Sequence, residues 1–239
     1  NFKVAYDWAK TYDPTRPVHY ERTEVGQDKF GQRITDIISW MYNKPRGIEK
    51  QFLNKEPSRS EEERRPFIWC EYAHAMGNST GNITDLWDWV RSHDNVQGGF
   101  IWDWMDQGLE AKTDDGEIYY AYGGDFTPKS YKIHTDSNFC ANGLIGSDRT
   151  PHPGIYEAKK AYQNIRFRMP SINLVELYNE HFFCDTKAYN FTWELIENGN
   201  AVSQGVLNDI NIAPQTKQDF PIYFNYSMDP SKEYYVNFY

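Results

Sequence analysis

Residues 67–79, Phe-Ile-Trp-Cys-Glu-Tyr-Ala-His-Ala-Met-Gly-Asn-Ser, set a carboxylate and an imidazole directly behind a short apolar run. Phe67 to Cys70 reads as a strand, Glu71 is the acid that ends it, and His74 follows three residues on, ahead of a glycine turn. A lone acid behind a buried strand is costly unless it is used. Parallel strands that deliver carboxylates at their C-terminal ends are how α/β barrels present reactive groups. On this segment alone, Glu71 could equally be the first solvated residue of a loop. Two further runs favour the chemical reading. Residues 96–107, Val-Gln-Gly-Gly-Phe-Ile-Trp-Asp-Trp-Met-Asp-Gln, end in tryptophan and acid, and residues 36–42, Asp-Ile-Ile-Ser-Trp-Met-Tyr, end in tyrosine. Three apolar runs finishing in Tyr42, Glu71 and Trp102-Asp103 imply a shared rim of acidic and aromatic groups.

The elements that must carry this rim alternate. Val4, Ala5, Trp8, Ala9 and Tyr12 have helical spacing, ended by Asp13-Pro14. Pro17–Glu21, Ile34–Tyr42, Phe67–Cys70 and Val96–Trp104 read as strands. Ile48–Asn54 reads as a short helix, and Ile83, Leu86, Trp87 and Val90 form a helical stripe behind cap candidates Ser79, Thr80 and Asn82. Alternation of this kind predicts an α/β fold with parallel strands and helical crossovers. Four such units amount to half of an eightfold (β/α) barrel. Residues 105–168 are loop-rich, with a last helix in Pro153–Asn164. After Pro170 the pattern changes to short runs with turn signals between them: Asn173–Tyr178, Phe191–Glu197, Ala201–Leu207, Asp219–Phe224 and Tyr234–Tyr239. That spacing predicts a β-sandwich. The expected division is 1–168 for the barrel part and 169–239 for the sandwich. The chain opens within a helical pattern and stops within a strand-like run, so a fragment of a longer protein is expected.

A net charge of −9 argues against nucleic acid, which requires a basic face. No run of about 18 apolar residues suggests a membrane span, and no signal peptide pattern opens the chain. The expected setting is aqueous, cytoplasmic or periplasmic, with the compartment open. Cys70, Cys140 and Cys184 show no metal-ligand spacing. Aromatic residues make up 17% of the chain. Most belong in a core, but ring faces also suit the apolar C–H faces of a sugar.

Glu71-Tyr72-Ala73-His74-Ala75-Met76-Gly77-Asn78-Ser79 is followed by Gly98-Gly99-Phe100-Ile101-Trp102-Asp103-Trp104, Tyr122-Gly123-Gly124-Asp125-Phe126 and Asn142-Gly143-Leu144, with Asp148-Arg149-Thr150-Pro151-His152-Pro153 behind. In this order the segments resemble the large multidomain β-galactosidases of glycoside hydrolase family 2. The resemblance implies the last four units of a (β/α)8 (TIM) barrel followed by part of an immunoglobulin-like sandwich. It implies hydrolysis of terminal β-galactosides with retention, through a covalent galactosyl-enzyme.

By the same resemblance Glu71 is the nucleophile and Tyr42 its hydrogen-bond partner. His74 contacts sugar hydroxyls, Trp102 stacks beneath the galactose, and Asn142 touches a hydroxyl and, with the Phe139 carbonyl, a sodium ion. Taken singly, each has a plainer reading: a core aromatic for Tyr42 and Trp102, a loop histidine, an Asn-Gly turn. Magnesium and sodium are cofactors of the resembled family, whose magnesium ligands fall upstream of this sequence. So does its Asn-Glu-Ser-Gly acid/base motif, which does not occur here. No motif makes Glu21, Glu24, Asp103, Asp106, Glu110 or Asp125 the second carboxyl. The implied partners are a β-galactoside and the N-terminal half of the same polypeptide, in a homo-oligomeric parent, and the chain alone is expected to be inactive. Two rival readings remain at this stage: a non-catalytic carbohydrate-binding fragment, and a β-glucuronidase- or β-mannosidase-like enzyme of the same family.

Overall fold

The computed structural model describes residues 2–22, 32–127 and 135–239. Glu24 lies outside them. The chain divides into two compact units, Asn1–Tyr162 and Gln163–Tyr239.

In the first unit, helix α1 (Phe2–Tyr12) forms where its spacing predicts, yet it buries no residue; Val4, Trp8 and Tyr12 are exposed. The expected strand Pro17–Glu21 contributes only a parallel bridge from His19 to Ile37. Side chains replace its ladder. Val18 N–H donates to Asp36 Oδ2 at 2.8 Å, and the Thr35 hydroxyl bonds the Val18 carbonyl at 3.1 Å. Such local side-chain bonds compete with regular strand pairing. After helix α2 (Pro45–Gln51), strand β1 (Phe67–His74) is bridged in parallel by Ile38 at Phe67 and by Met41 at Glu71. Helix α3 (Ile83–Arg91) leads into β2 (Val96–Trp102), which pairs with β1 in parallel. Beyond β2, residues 142–145 run beside 103–106. Leu144 N–H donates to the Asp103 carbonyl at 3.0 Å and Asp106 N–H to the Ile145 carbonyl at 3.0 Å.

Two boundaries differ from expectation. β1 does not stop at Cys70. Register shifts between Trp69 and Ala73 let its backbone stay paired as far as His74 opposite Trp102, so Glu71 lies inside the strand. β2 ends at Trp102, because Asp103 N–H turns to a new partner, the Asn142 carbonyl at 2.8 Å. The Trp102–Asp103 peptide is cis.

The core of this unit gathers Ile38, Trp40, Ile48, Phe52, Phe67, Trp69, Val90 and Val96. Phe67 and Trp69 meet edge to face at 5.0 Å, and Trp69 Nε1–H donates to the Asn43 carbonyl at 2.9 Å, so the ring is buried with its polar atom satisfied. This anchors the first half of β1 and leaves its second half to carry polar groups. The loop-rich region also holds a hairpin, β3 (Leu109–Lys112) with β4 (Ile118–Ala121), and helix α4 (Gly154–Ala161).

The second unit begins with β5 (Ile165–Ser171), which contains the expected division at 168/169. It belongs here because it pairs antiparallel with β6 (Leu174–Asn179). β7 (Phe191–Glu197), β8 (Asn200–Leu207), β9 (Thr216–Pro221) and β10 (Tyr234–Phe238) follow. β9 starts before the run expected for it at Asp219. The sheets have orders β5-β6-β9 and β10-β7-β8. Val175 and Leu177 of the first and Phe191, Trp193 and Leu195 of the second share one apolar cluster. No helix among the described residues is long and apolar enough to cross a membrane.

Candidate active site

Glu71 and Tyr42 come from neighbouring extended segments and meet twice. The Tyr42 amide donates to the Glu71 carbonyl at 2.7 Å, and the Tyr42 hydroxyl donates to Glu71 Oε2 at 2.6 Å. Tyr42 makes both contacts from a left-handed backbone, φ 56°. A tyrosine there costs of order 1–3 kcal/mol, which its surroundings must offset. Burial above all, then the hydrogen bond to Glu71 and the charge on that carboxylate, push the Tyr42 phenol well above its ordinary value. The hydroxyl therefore stays a donor throughout the neutral range.

His74 closes β1 three residues further on. Its Nδ1 accepts the Met76 amide at 3.2 Å. In the neutral ring this leaves the proton on Nε2. Nε2 is buried and has no hydrogen-bond partner among the described residues. A buried, protonated, unanswered nitrogen needs an acceptor. The ring lies 6.3 Å from that of Tyr42 and 5.5 Å from that of Phe139.

Trp102 sits opposite His74 in the β1–β2 register and is 38% exposed as a residue. Asn142 is 1% exposed, with its carbonyl on the Asp103 amide. All six expected residues, Tyr42, Glu71, His74, Trp102, Phe139 and Asn142, are thus linked by direct contact or adjacent backbone pairing. The other rim acids are engaged elsewhere. Asp103 Oδ2 accepts from Gln107 at 2.7 Å, Asp106 Oδ1 from the Gly143 amide at 2.7 Å, and Asp125 from the Tyr122 amide at 2.9 Å. Glu21 pairs with Arg22, and Glu110 lies exposed on β3. Among the described residues no group of three or more His, Cys, Asp or Glu side chains could hold a metal ion.

The sequence reading missed the groups that fix the segment carrying Asn142. Gly143 is clamped on both sides of its peptide, by Asp106 at its N–H and by His152 Nδ1, 2.9 Å from its carbonyl. A Cβ at Gly143 would lie 2.2 Å from the Asp106 backbone nitrogen, so the close approach requires glycine. Gln107 reaches both Asp103 and Asn142, the latter at 3.1 Å. The one available signal was that these polar residues lie within the quoted segments 96–107 and 148–153.

Residues 1–167 match the family described as glycosyl hydrolases family 2, TIM barrel domain, and residues 175–239 match beta-galactosidase, domain 4. A beta-galactosidase of Pseudoalteromonas haloplanktis is 38% identical, over 99% of this chain and 23% of that protein. One of Priestia megaterium is 39% identical, over 93% and 21%. One of Aeromonas hydrophila is 43% identical, over 88% and 20%. The chain thus spans a fifth to a quarter of the length of these curated relatives.

Proposed function

The chain belongs to glycoside hydrolase family 2, and we propose that it carries the nucleophile-bearing part of a retaining β-galactosidase. On this reading the parallel series from His19 to Ile145 is the C-terminal half of a (β/α)8 barrel, and the two antiparallel sheets are part of an immunoglobulin-like sandwich. The observation that carries the proposal is the Tyr42 hydroxyl on Glu71 Oε2, beside a histidine whose buried Nε2–H lacks an acceptor. The names of the relatives supply the sugar.

Retention requires two carboxyl groups roughly 5–5.5 Å apart. Glu71 attacks the anomeric carbon as its anion. The Tyr42 hydroxyl orients the attacking oxygen. As the glycosyl ester forms, Glu71 loses its charge, and the same hydroxyl remains to stabilise the carboxylate when water releases the sugar. The second carboxyl protonates the leaving oxygen and then activates that water. It comes from sequence outside these 239 residues, a placement supported by the engagement of Asp103, Asp106 and Asp125 elsewhere. His74 Nε2–H and the Asn142 amide bind sugar hydroxyls, and the exposed Trp102 ring stacks beneath the galactose. The homo-oligomeric assembly implied by the resemblance belongs to the same proposal.

Sodium fits what is present. The Phe139 carbonyl and Asn142 Oδ1 are neutral hard oxygens, suited to a hard cation, and Oδ1 keeps a second lone pair beyond the one facing Gln107. When bound, the ion would supply a fixed positive charge beside the sugar hydroxyls. Magnesium has no assignable ligands among the described residues, and no step is derived through it.

The direct test is covalent trapping. The full-length enzyme is incubated with a 2-deoxy-2-fluoro-galactoside bearing an activated leaving group, digested, and its peptides weighed. The peptide containing Glu71 gains one fluorosugar. Labelling of a different carboxylate would sink the assignment.

A further inference from the structure

Gln107 lies outside every role given so far, yet it is the side chain that joins the two motifs of the proposed pocket. Its Nε2 carries two N–H bonds. One donates to Asp103 Oδ2 at 2.7 Å, the other to Asn142 Oδ1 at 3.1 Å. Asp103 is set to receive it, because its Oδ1 already accepts the Trp104 amide. Asn142 is 1% exposed, so its amide cannot turn to water for compensation. An amide bound through its oxygen has a defined face: Oδ1 points at Gln107, and Nδ2 is aimed away. Without the Gln107 donor, Oδ1 is held only by whatever cation it binds, and the Asn142 amide is freer to rotate by half a turn and exchange its donor for its acceptor.

The backbone that bears Asn142 does not depend on this contact. The Gln107 amide holds the Cys140 carbonyl at 3.0 Å, Asp103 N–H holds the Asn142 carbonyl at 2.8 Å, and Asp106 and His152 hold the Gly143 peptide. Removing the Gln107 side chain amide thus frees one side chain, not a loop.

We propose that Gln107 is a positioning residue for sugar binding, which fixes the orientation of the Asn142 amide and ties it to the Trp102–Asp103 turn. The proposal rests on the galactosidase reading above. Gln107 acts through Asn142, and its loss weakens ground-state and transition-state binding together, so the effect falls on KM more than on kcat.

The test uses the full-length enzyme and an aryl β-galactoside, comparing wild type, Gln107→Met, Asn142→Ala and the double variant. Gln107→Met keeps the length and removes both donors. It raises KM about tenfold, the value of one lost hydrogen bond in a buried site, with kcat changed less than about threefold. In the Asn142→Ala background it adds nothing, the non-additivity expected of residues acting as a unit. Gln107→Glu supplies a second readout. Near neutrality it places a carboxylate against two acceptors and exceeds Gln107→Met in KM. An unchanged KM in Gln107→Met overturns the proposal. Additive effects in the double variant also overturn it, since they would mean that Gln107 touches the sugar directly or acts only on folding. Wild-type enzyme without activity on any galactoside would instead overturn the underlying reading.

Discussion

The two units treat the ends of their strands differently. In the antiparallel unit β6 alternates half-buried and buried residues through to Asn179, and β7 keeps its apolar positions Phe191, Trp193 and Leu195 on one face. Period-two alternation is what a sheet covered on one side requires. In the parallel unit, β1 obeys the alternation only from Phe67 to Cys70 and then gives four half-buried residues, Glu71 to His74. The first half of that strand is anchored by Phe67 and Trp69, and the second half holds groups that no core would choose. Where a strand abandons its own pattern without ending, the reason lies in what its side chains face.

The sharpest way to break this comparison is to neutralise the group that breaks the pattern. Glu71→Gln keeps the shape and removes the carboxylate proposed as the nucleophile. In the full-length enzyme it lowers kcat/KM by at least about 10⁴-fold, on the scale seen when a covalent nucleophile is removed. Thermal unfolding of the variant should match wild type or exceed it, because a polar group held for chemistry is not needed for stability. Steady-state kinetics and calorimetry on the same preparation decide it. A variant that loses stability and activity in proportion would put Glu71 among the structural residues.

Trp193 is the counterpart in the antiparallel unit. Its ring is buried, meets Phe224 edge to face at 5.0 Å, and presses on Gly205 so closely that a Cβ there would lie 2.5 Å from the indole. Trp193→Ala removes about 3–5 kcal/mol of stability by leaving a cavity. Denaturant unfolding reads the loss, and the KM of the still-folded enzyme stays unchanged.

Tyr42→Phe tests whether the strained residue serves its neighbour. It removes one preorganised donor and should lower kcat on the order of 10²-fold. Because burial and Glu71 hold the phenol protonated well beyond its ordinary value, the wild-type rate has no alkaline limb from Tyr42 below about pH 10. A limb that appears between pH 8 and 10 and disappears in Tyr42→Phe would contradict that protonation state.

The legibility of the fold followed the same division. β7 and β8 could be read almost to the residue, because period-two alternation and the Asn198-Gly199 turn agree with what forms. β5 went unread: Ile165-Arg166-Phe167-Arg168-Met169 alternates, but it falls between the expected helix Pro153–Asn164 and the strand runs expected after Pro170. The hairpin β3–β4 was missed although Asp115-Gly116 signals its turn, with Gly116 at φ 91°. In the parallel unit the ends of β1 and β2 were misplaced, since a backbone ladder can continue under polar side chains that give no strand signal. Tyr42, Glu71, His74 and Trp102 could be picked out by type and position, and the family resemblance gave them roles. Gln107, Asp106 and His152 stand in the quoted segments too, but their roles could not be read, because a residue that acts by holding another has no pattern of its own.

The smallest effects should separate two polar hubs that look alike on paper. Asp36 accepts from the Tyr6 hydroxyl at 2.7 Å and the Val18 amide at 2.8 Å, and pairs with Lys10 at 3.2 Å and Arg33 at 2.9 Å. It thereby ties α1 to the segment that opens the parallel series. Burial alone would raise its pKa, but the Val18 amide, Tyr6, Lys10 and Arg33 outweigh that and hold it below the usual carboxylate range. Burial and Asp36 in turn push Tyr6 up to about 12. Glu197 in the antiparallel unit also gathers Lys232, Tyr226 and Tyr234 and is lowered too, with one cation and no backbone amide among the described residues, where Asp36 has two cations and the Val18 amide. Asp36→Asn should cost about 1–2 kcal/mol near neutrality. A depressed folded pKa stabilises above the unfolded value and is lost as pH falls through the folded one, so wild type and Asp36→Asn converge below about pH 4. Tyr6 works in the opposite sense: its contribution is whole below about pH 10 and is lost as pH rises from there to about 12. Glu197→Gln should shift stability less than Asp36→Asn near neutrality, because it loses fewer charge-assisted partners. Equal losses from the two substitutions would mean that the parallel unit gains nothing from the extra partners of its hub. The contrast between the units would then be one of chemistry alone.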